Sequence, residues 1–376
     1  MTSDARRPSL PEAADSRRRP RFVRLLLWTG GGVAASALGA VFLYLAFRGK
    51  DWGAVNHALS QANLWYLFAA QGCVVLAYFI RGVRWRLLFR NVKVGTLRLV
   101  LVENTALGVN SLTPIPVLDE PVRVGLLWLQ GLPAGTVLAT MATMRTFELA
   151  SQAVIGLVGL IYLEPIRPLK PYFIAATALA GVGLIALFTI GPLMKRVPVI
   201  GRIGLAKDFS KGVEVMREAP IFPFISFLLT AGYTIVIGTA GWLVGLAFDV
   251  PMDMLALIIV SLAVIFFTDW VPALPLAVGS FEFVALHLLG LWDVEPSTAF
   301  SFALLLHAIF FIPPLVIAVI YLPVAGIRSF GAAFRLVRPT SRSGNTTVIV
   351  RRDAAQAPSS AQVTTPESEA TPTRPT

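Results

Sequence analysis

Apolar residues in this chain gather into runs of span length, separated by short polar breaks and by prolines. The runs fall at 22–47, 63–80, 99–113, 136–163, 172–191, 221–247, 254–268 and 297–324, with a weaker one near 281–292. A helix needs about 20 mostly apolar residues to cross a bilayer, and six of these runs are long enough. The runs at 99–113 and 254–268 are shorter. They break into Thr113-Pro114-Ile115-Pro116 and Pro272-Ala273-Leu274-Pro275, and each break leads to a second short apolar stretch, at 121–133 and 281–292.

Basic residues then set the orientation. The arginine-rich N-terminus, the segments 81–98 and 195–217, and the tail from Arg328 are the candidates for the cytoplasmic side. Between Arg98 and Lys195 the spans at 136–163 and 172–191 already give an even number of crossings. The broken pair at 99–133 must therefore enter and leave on the cytoplasmic side. By the same count the pair at 254–292 starts and ends outside. Two broken pairs dipping in from opposite faces predict inverted-topology repeats. Two tight spanning hairpins satisfy the same parity. The expected fold is thus an all-α polytopic membrane protein with about six full spans and two broken or re-entrant helical pairs, in two inverted pseudo-symmetric halves.

The expected organisation is a basic cytoplasmic tail at 1–21, a transmembrane domain at 22–328, and a disordered cytoplasmic tail at 329–376 rich in Pro, Ser, Thr and Ala. The halves run at about 22–191 and 221–328, joined by a cytoplasmic amphipathic linker at 192–220. Within that linker Leu205, Phe209, Val213 and Met216 share one helical face, and Lys207, Asp208, Lys211 and Glu214 the other. The sequon at Asn345 would be inert in a cytoplasmic tail. The stretch at 22–47 follows a basic segment but is too long for a signal peptide, so it reads as an uncleaved first span.

Composition agrees: 56% of the 376 residues are hydrophobic and only 14% charged, too few charges for a soluble surface. The net charge of +11 reads first as topological, and no nucleic-acid partner is expected. Cys73 is the single cysteine, and His57, His287 and His307 are too scattered for ligand spacing, so neither a metal nor a cofactor is expected. No phosphate-binding glycine loop and no nucleophile elbow is present, so no catalytic residue is assigned.

Ionisable groups inside spans are costly and mark function. They cluster here: Arg81 and Arg84 beside Trp85, Glu103 and Asn110 in the first broken segment, then Asp119, Glu120 and Arg123. Arg145 and Glu148 stand three apart and can pair, Asp269 and Glu282 flank the second break, and His307 lies in the last span. Each has an ordinary reading. Arg81, Arg84 and Arg86 can serve as snorkelling anchors, Arg145–Glu148 as a structural pair, His307 as a core histidine bonded to a carbonyl. The tryptophans at 52, 65, 85, 128, 270 and 292 suit an interfacial belt. Glu120 and Glu282 each follow a proline break, where they are expected to face one cavity from the two halves. Arginines there match phosphate bidentately, and carboxylates suit an amine or sugar hydroxyls. A lipid headgroup, of a phospholipid or a lipid-linked glycan, satisfies both.

These residues also resemble a family. Arg81-x-x-Arg84-Trp85 followed by Leu87-Leu88, Gly108-x-Asn110-x-Leu112-x-Pro114, Glu120-x-x-Arg123, Arg145-x-x-Glu148, and Pro275 with Gly279-x-x-Glu282 stand in the order found in the lysylphosphatidylglycerol synthase transmembrane, flippase-like family. Two departures touch the suspected headgroup cavity. Val117-Leu118-Asp119 stands where the family has a basic residue and a glycine, and His307 stands where it has an arginine. The synthases carry a soluble aminoacyl-transferase domain after the membrane part, and the roughly fifty polar residues after the last span are too few for one.

The resemblance implies a lipid flippase or transporter of the plasma membrane, with both termini cytoplasmic, working by alternating access. Its site would comprise Arg81, Arg84, Asn110, Glu120, Arg123, Arg145, Glu148, Glu282 and His307. A membrane enzyme acting on lipid-linked sugars, with Glu120 and Glu282 as acid and base, is the alternative, as is a non-transporting regulatory subunit of a synthase. Partners would be a membrane lipid and, beyond it, a second copy or a partner synthase.

Overall fold

The computed structural model describes residues 36–90, 92–112, 119–196, 204–270 and 274–325. The basic N-terminal tail, the start of the first apolar run, the break at 113–116, Pro272 and Ala273 of the second break and the tail from 326 lie outside the described residues. Every regular element among the described residues is helical. In chain order these are α1 (Ser36–Phe47), α2 (Trp52–Gln61), α3 (Leu64–Leu88), α4 (Thr96–Ser111), α5 (Asp119–Trp128) and α6 (Ala134–Tyr162). There follow α7 (Lys170–Arg196), α8 (Gly204–Glu218), α9 (Ile221–Ala247), α10 (Met254–Trp270), α11 (Ser280–Leu289) and α12 (Pro296–Val324).

Helix α2 has no counterpart in the apolar runs. It is a short surface helix capped by Asp51, which accepts from the backbone of Gly53 and Ala54. Helix α3 continues eight residues past the end of its apolar run, carrying Arg81 and Arg84 inside the bundle and not at its rim. Helix α12 starts at Pro296 behind Glu295, whose carboxylate accepts from the backbone of Ser297 and Thr298. Burial pushes the Glu295 carboxyl up, but the hydrogen bonds from Ser297 and Thr298 outweigh it and bring it down to about 2. This cap is therefore ionised throughout the neutral range.

Six stretches are long and apolar enough to cross a membrane: α3, α6, Glu164–Ala186, α9, Pro275–Trp292 and α12. The α5 and α11 helices have ten residues each, about 15 Å of rise, half of a hydrocarbon core. They are the short arms of the two broken pairs. Packing repeats between the halves. α3 lies on α4 as α9 lies on α10, α4 on α5 as α10 on α11, and α5 on α6 as α11 on α12, while α3 and α9 pack along one another. α7 touches chiefly α6 and α8 and turns Leu179, Val182 and Ile185 outward. α12 likewise exposes Ile312, Val316, Val319 and Ile320. Such apolar faces are stable in lipid and not in water. The chain is a multi-span membrane protein.

The linker helix α8 buries Val213 and Met216 against α6, as its periodicity predicts, but Leu205 stays exposed.

Two apolar cores hold the bundle. One joins the first half of α3 (Ala70 to Tyr78) to α9, α10, α11 and the first half of α12. The other joins the last turns of α3 (Trp85, Leu88) to α4, α5, the first half of α6, α8 and the end of α12 (Ala318, Leu322). Trp85 belongs to this second core, wholly buried and donating to Thr140 Oγ1 at 3.0 Å, and not to an interfacial belt. α12 thus contributes to both cores, and Pro313 and Pro314 lie within it between them. A proline cannot donate to the carbonyl four residues back, so Pro314 strands the Phe310 carbonyl. Tyr78 Oη donates to that oxygen at 2.5 Å, supplying from α3 what the helix has lost. Beyond the break α4 crosses closely: a Cβ on Gly108 would meet the Pro314 carbonyl and Ala318.

Tyr78→Phe leaves the Phe310 carbonyl without its donor in an apolar setting. It should destabilise the protein by roughly 1–2 kcal/mol, read as a lower melting temperature in detergent. The exposed Tyr44→Phe should melt like the wild type.

Candidate functional site

The ionisable groups flagged along the chain separate into two clusters in space. The larger lies where the two apolar cores meet, between Tyr78 and Trp85 on α3. Arg81 donates through Nε to Glu103 Oε1 on α4 at 3.0 Å. Arg84, 0% exposed, donates through Nη1 to Thr230 Oγ1 on α9 at 3.0 Å and through Nη2 to Glu148 on α6. The Tyr233 ring covers both arginines, 5.4 Å from the Arg81 guanidinium carbon and 4.7 Å from that of Arg84. Ser226 donates to the Arg84 carbonyl at 3.1 Å. These arginines are structural members of the bundle; the anchor reading fails because α3 holds them beneath α4, α6 and α9.

The short arm α5 supplies the other side. Asp119 Oδ2 lies 2.8 Å from Nη2 of both Arg123 and Arg145. Arg145 spreads over three carboxylates, reaching Glu120 Oε1 and Glu148 Oε2 at 3.3 Å each besides Asp119. The expected Arg145–Glu148 pair is present, but the buried partner of Glu148 is Arg84. Asn110 lies half-buried in the last turn of α4. Four guanidinium groups (Arg81, Arg84, Arg123, Arg145) thus face four carboxylates (Glu103, Asp119, Glu120, Glu148), and the cluster is charge-balanced. Its floor is buried. Its mouth is the Arg145–Glu120 pair, with side chains 40% and 34% exposed. Several floor groups keep unused bonding capacity: among the described residues Arg84 Nε, Arg123 Nε and Glu103 Oε2 are buried without a hydrogen bond. Buried polar atoms of this kind are rare in native proteins.

Glu282 and His307 form the second cluster, and the expectation that Glu120 and Glu282 share a cavity is not met. The two glutamates have no partner in common. Glu282, 1% exposed, turns back on the start of its own helix, where Oε2 accepts the Gly279 N–H at 2.7 Å, half of a capping box. Its Oε1 lies 2.6 Å from His307 Nδ1, and His307 Nε2 donates to the Leu276 carbonyl at 2.6 Å. The ordinary reading of His307, bonded to a carbonyl, holds for one ring nitrogen only. The turn it grips is strained. Leu276 and Ala277 have φ of 63° and 56°, at roughly 1–3 kcal/mol each for such backbone. Gly279 follows at φ 89°, packed so closely on the α1 backbone at Leu43 that a side chain has no room.

The model of the lysylphosphatidylglycerol synthase transmembrane region matches residues 32–318, most of the chain. The chain belongs to that family. Every residue of both clusters falls within the matched region, as do both broken helical pairs. No curated protein matches the chain. For this family member, reasoning from sequence placed Glu103 and Asp119 among the suspicious charges but left them out of the site. It missed Thr230 and Tyr233 altogether. The one available signal was the stripe Ser226–Thr230–Thr234 on α9, four residues apart and all buried; hydroxyls in spans so often bond their own helix that it carries little weight.

Glu148→Gln removes the nearest countercharge of the buried Arg84 and should cost several kcal/mol, roughly 3–5, measured by chemical or thermal unfolding in detergent. Glu148→Gln/Arg84→Gln should recover part of the loss. Glu164→Gln, in the exposed pair with Arg167, should unfold like the wild type.

Proposed function

We propose that this protein moves a lipid headgroup across the membrane, and that the charge-balanced cluster of α3, α4, α5, α6 and α9 is its headgroup site. Membership of a family of lipid-related membrane regions supports a lipid as the cargo. The observation that carries the reading is the cluster itself: four arginines and four carboxylates at the junction of two apolar cores, with the exposed Arg145–Glu120 pair over a floor that retains free donors and an acceptor. A purely structural network would close its hydrogen bonds.

The balance of charge narrows the cargo. A site of arginines alone would favour a simple anion. Here a headgroup phosphate would take over Arg145 in bidentate fashion, and Glu120, released, would accept from an amine or from hydroxyls on the same headgroup. A headgroup carrying both phosphate and such donors exchanges one set of charge-assisted bonds for another without leaving a buried charge unpaired. The two halves supply opposite walls, α9 with Thr230 and Tyr233 facing the α3 arginines, so relative movement of the halves would open and close the site. No chemical step on the lipid is assigned.

The charge pattern supports a plasma-membrane orientation with both termini and α8 cytoplasmic. In a Cys73-free background, Lys211→Cys should react with membrane-impermeant maleimide only after the cells are opened. Labelling of intact cells at this position would reverse the topology.

Purified protein in phosphatidylcholine vesicles should move fluorescent phosphatidylglycerol or phosphatidylethanolamine between leaflets. Glu120→Gln/Arg145→Gln, which removes the exposed pair together and leaves the buried floor paired, should slow this roughly tenfold or more. Lipid movement at the wild-type rate in that variant would end the headgroup-site proposal.

A further inference from the structure

The Glu282–His307 pair has no role in the headgroup site, and its geometry fixes how many protons it holds. His307 Nε2 faces a backbone carbonyl, which can only accept, so that nitrogen must bear a hydrogen. Nδ1 lies 2.6 Å from Glu282 Oε1. Either Nδ1 also bears a hydrogen, giving imidazolium against carboxylate, or Glu282 is the carboxylic acid donating to Nδ1. Both descriptions contain one proton more than a carboxylate beside a neutral imidazole. Without that proton two lone pairs would face each other, enclosed by Phe281 stacked on the ring and Phe311 edge-on to it, with centroids at 4.6 Å and 4.5 Å. In so buried a setting the repulsion would part α11 from α12.

Among the described residues, the charged groups on the surrounding elements are engaged elsewhere. Tyr78 on α3 is engaged with Phe310, and Arg81, Arg84 and Glu103 belong to the other cluster. The Tyr233 ring on α9 lies over the α3 arginines, and among the described residues Tyr44 on α1, His57 on α2 and Arg98 on α4 form no hydrogen bond or ion pair with Glu282 or His307. The same holds for His287 on α11, which meets the Phe283 carbonyl of its own helix, and for Tyr321 on α12. α10 carries Asp269 in its last turn.

Position makes the pair consequential. It closes the strained turn at Leu276 and Ala277 onto α12, less than two turns before Pro313 and Pro314 divide that helix between the two apolar cores. We propose that Glu282 and His307 are a proton-binding site whose occupancy couples proton movement to the lipid movement proposed above. One proton taken from water on one side closes α11 against α12. Its release to the other side frees the turn and lets α12 move at its proline break. The proposal rests on the transporter reading for its cargo, but the proton site can be tested without it.

The first test needs no transport. Because the folded pair holds a proton, the wild type should lose melting temperature in detergent as pH rises and that proton is withdrawn. Glu282→Gln keeps an acceptor for Gly279 and a donor for Nδ1 without titrating, and its melting temperature should lack this alkaline fall. His307→Arg, a permanent cation, should lack it too. His57→Gln and His287→Gln should retain it. Parallel melting curves against pH for wild type and Glu282→Gln overturn the proton site, whether or not lipid moves. The second test uses phosphatidylcholine vesicles carrying fluorescent phosphatidylglycerol or phosphatidylethanolamine and an internal pH dye. An imposed pH difference should change wild-type lipid movement several-fold, with proton flux reported by the dye, and leave folded Glu282→Gln and His307→Arg unresponsive. Wild-type lipid movement indifferent to the gradient overturns the coupling and leaves the transporter reading standing. A normal alkaline melting difference with no lipid movement overturns the transporter reading and the coupling, and leaves only the proton site.

Discussion

A charged side chain inside an apolar bundle has to find an opposite charge, and here eight must do so at once. That requirement sets where the helices run. Arg84 has no route to water, so α6 must present Glu148 and α9 must present Thr230 to it. Arg81 draws in α4 through Glu103, and Arg145 draws in α5 through Asp119 and Glu120. Helix α5 is only ten residues long, and its first turn presents Asp119 and Glu120 to Arg145.

The apolar packing is arranged around that cluster. Each core closes separately, one above and one below the arginines of α3, and α12 is the element common to both. A helix that serves two cores with prolines between them is suited to bend there, provided its stranded carbonyl is satisfied. Tyr78 does this from the turn preceding Arg81, so α3 carries two arginines of the charge cluster and also satisfies the carbonyl that Pro314 strands in α12. Strain at Leu276 and Ala277, the Glu282–His307 pair and the proline break follow one another along the second half. The first half concentrates charge and the second concentrates conformational irregularity. This division of labour between two repeats of one plan follows from a difference in sequence: the short arm α5 brings three ionisable groups into the charge cluster, whereas Glu282 of α11 is spent on its own helix start.

Much of this was legible from the chain. Runs of apolar residues give the helices within a few positions, because a span must satisfy its backbone within itself and advertises this by length and composition. Charges inside or bordering those runs identified Arg81, Arg84, Arg123, Arg145, Glu120 and Glu148, because lipid tolerates such groups only for a reason. Errors arose wherever a residue's fate depended on a neighbour distant in sequence. Trp85 near a span end suggests a belt, yet α6 covers it and Thr140 takes its N–H. Glu120 and Glu282 occupy equivalent places in the two repeats and seemed destined to meet, yet a free N–H at Gly279 and the ring of His307 lie closer to Glu282 than anything in the first half.

The sequence by itself determined the solvent, the helical character of the spans, the family and most of the charges that must be reconciled. Each of these depends on a sum or a local period, and sums and periods are written along one dimension. Tertiary structure alone decided which charge answers which. It paired Glu148 with Arg84 as well as Arg145, recruited Thr230 and Tyr233, and set Glu282 and His307 against each other. Those choices turn on distances of a few ångströms between residues far apart in sequence, 146 positions for Arg84 and Thr230. Packing sets such distances, and a buried charge will accept any partner of the right sign that packing brings within reach.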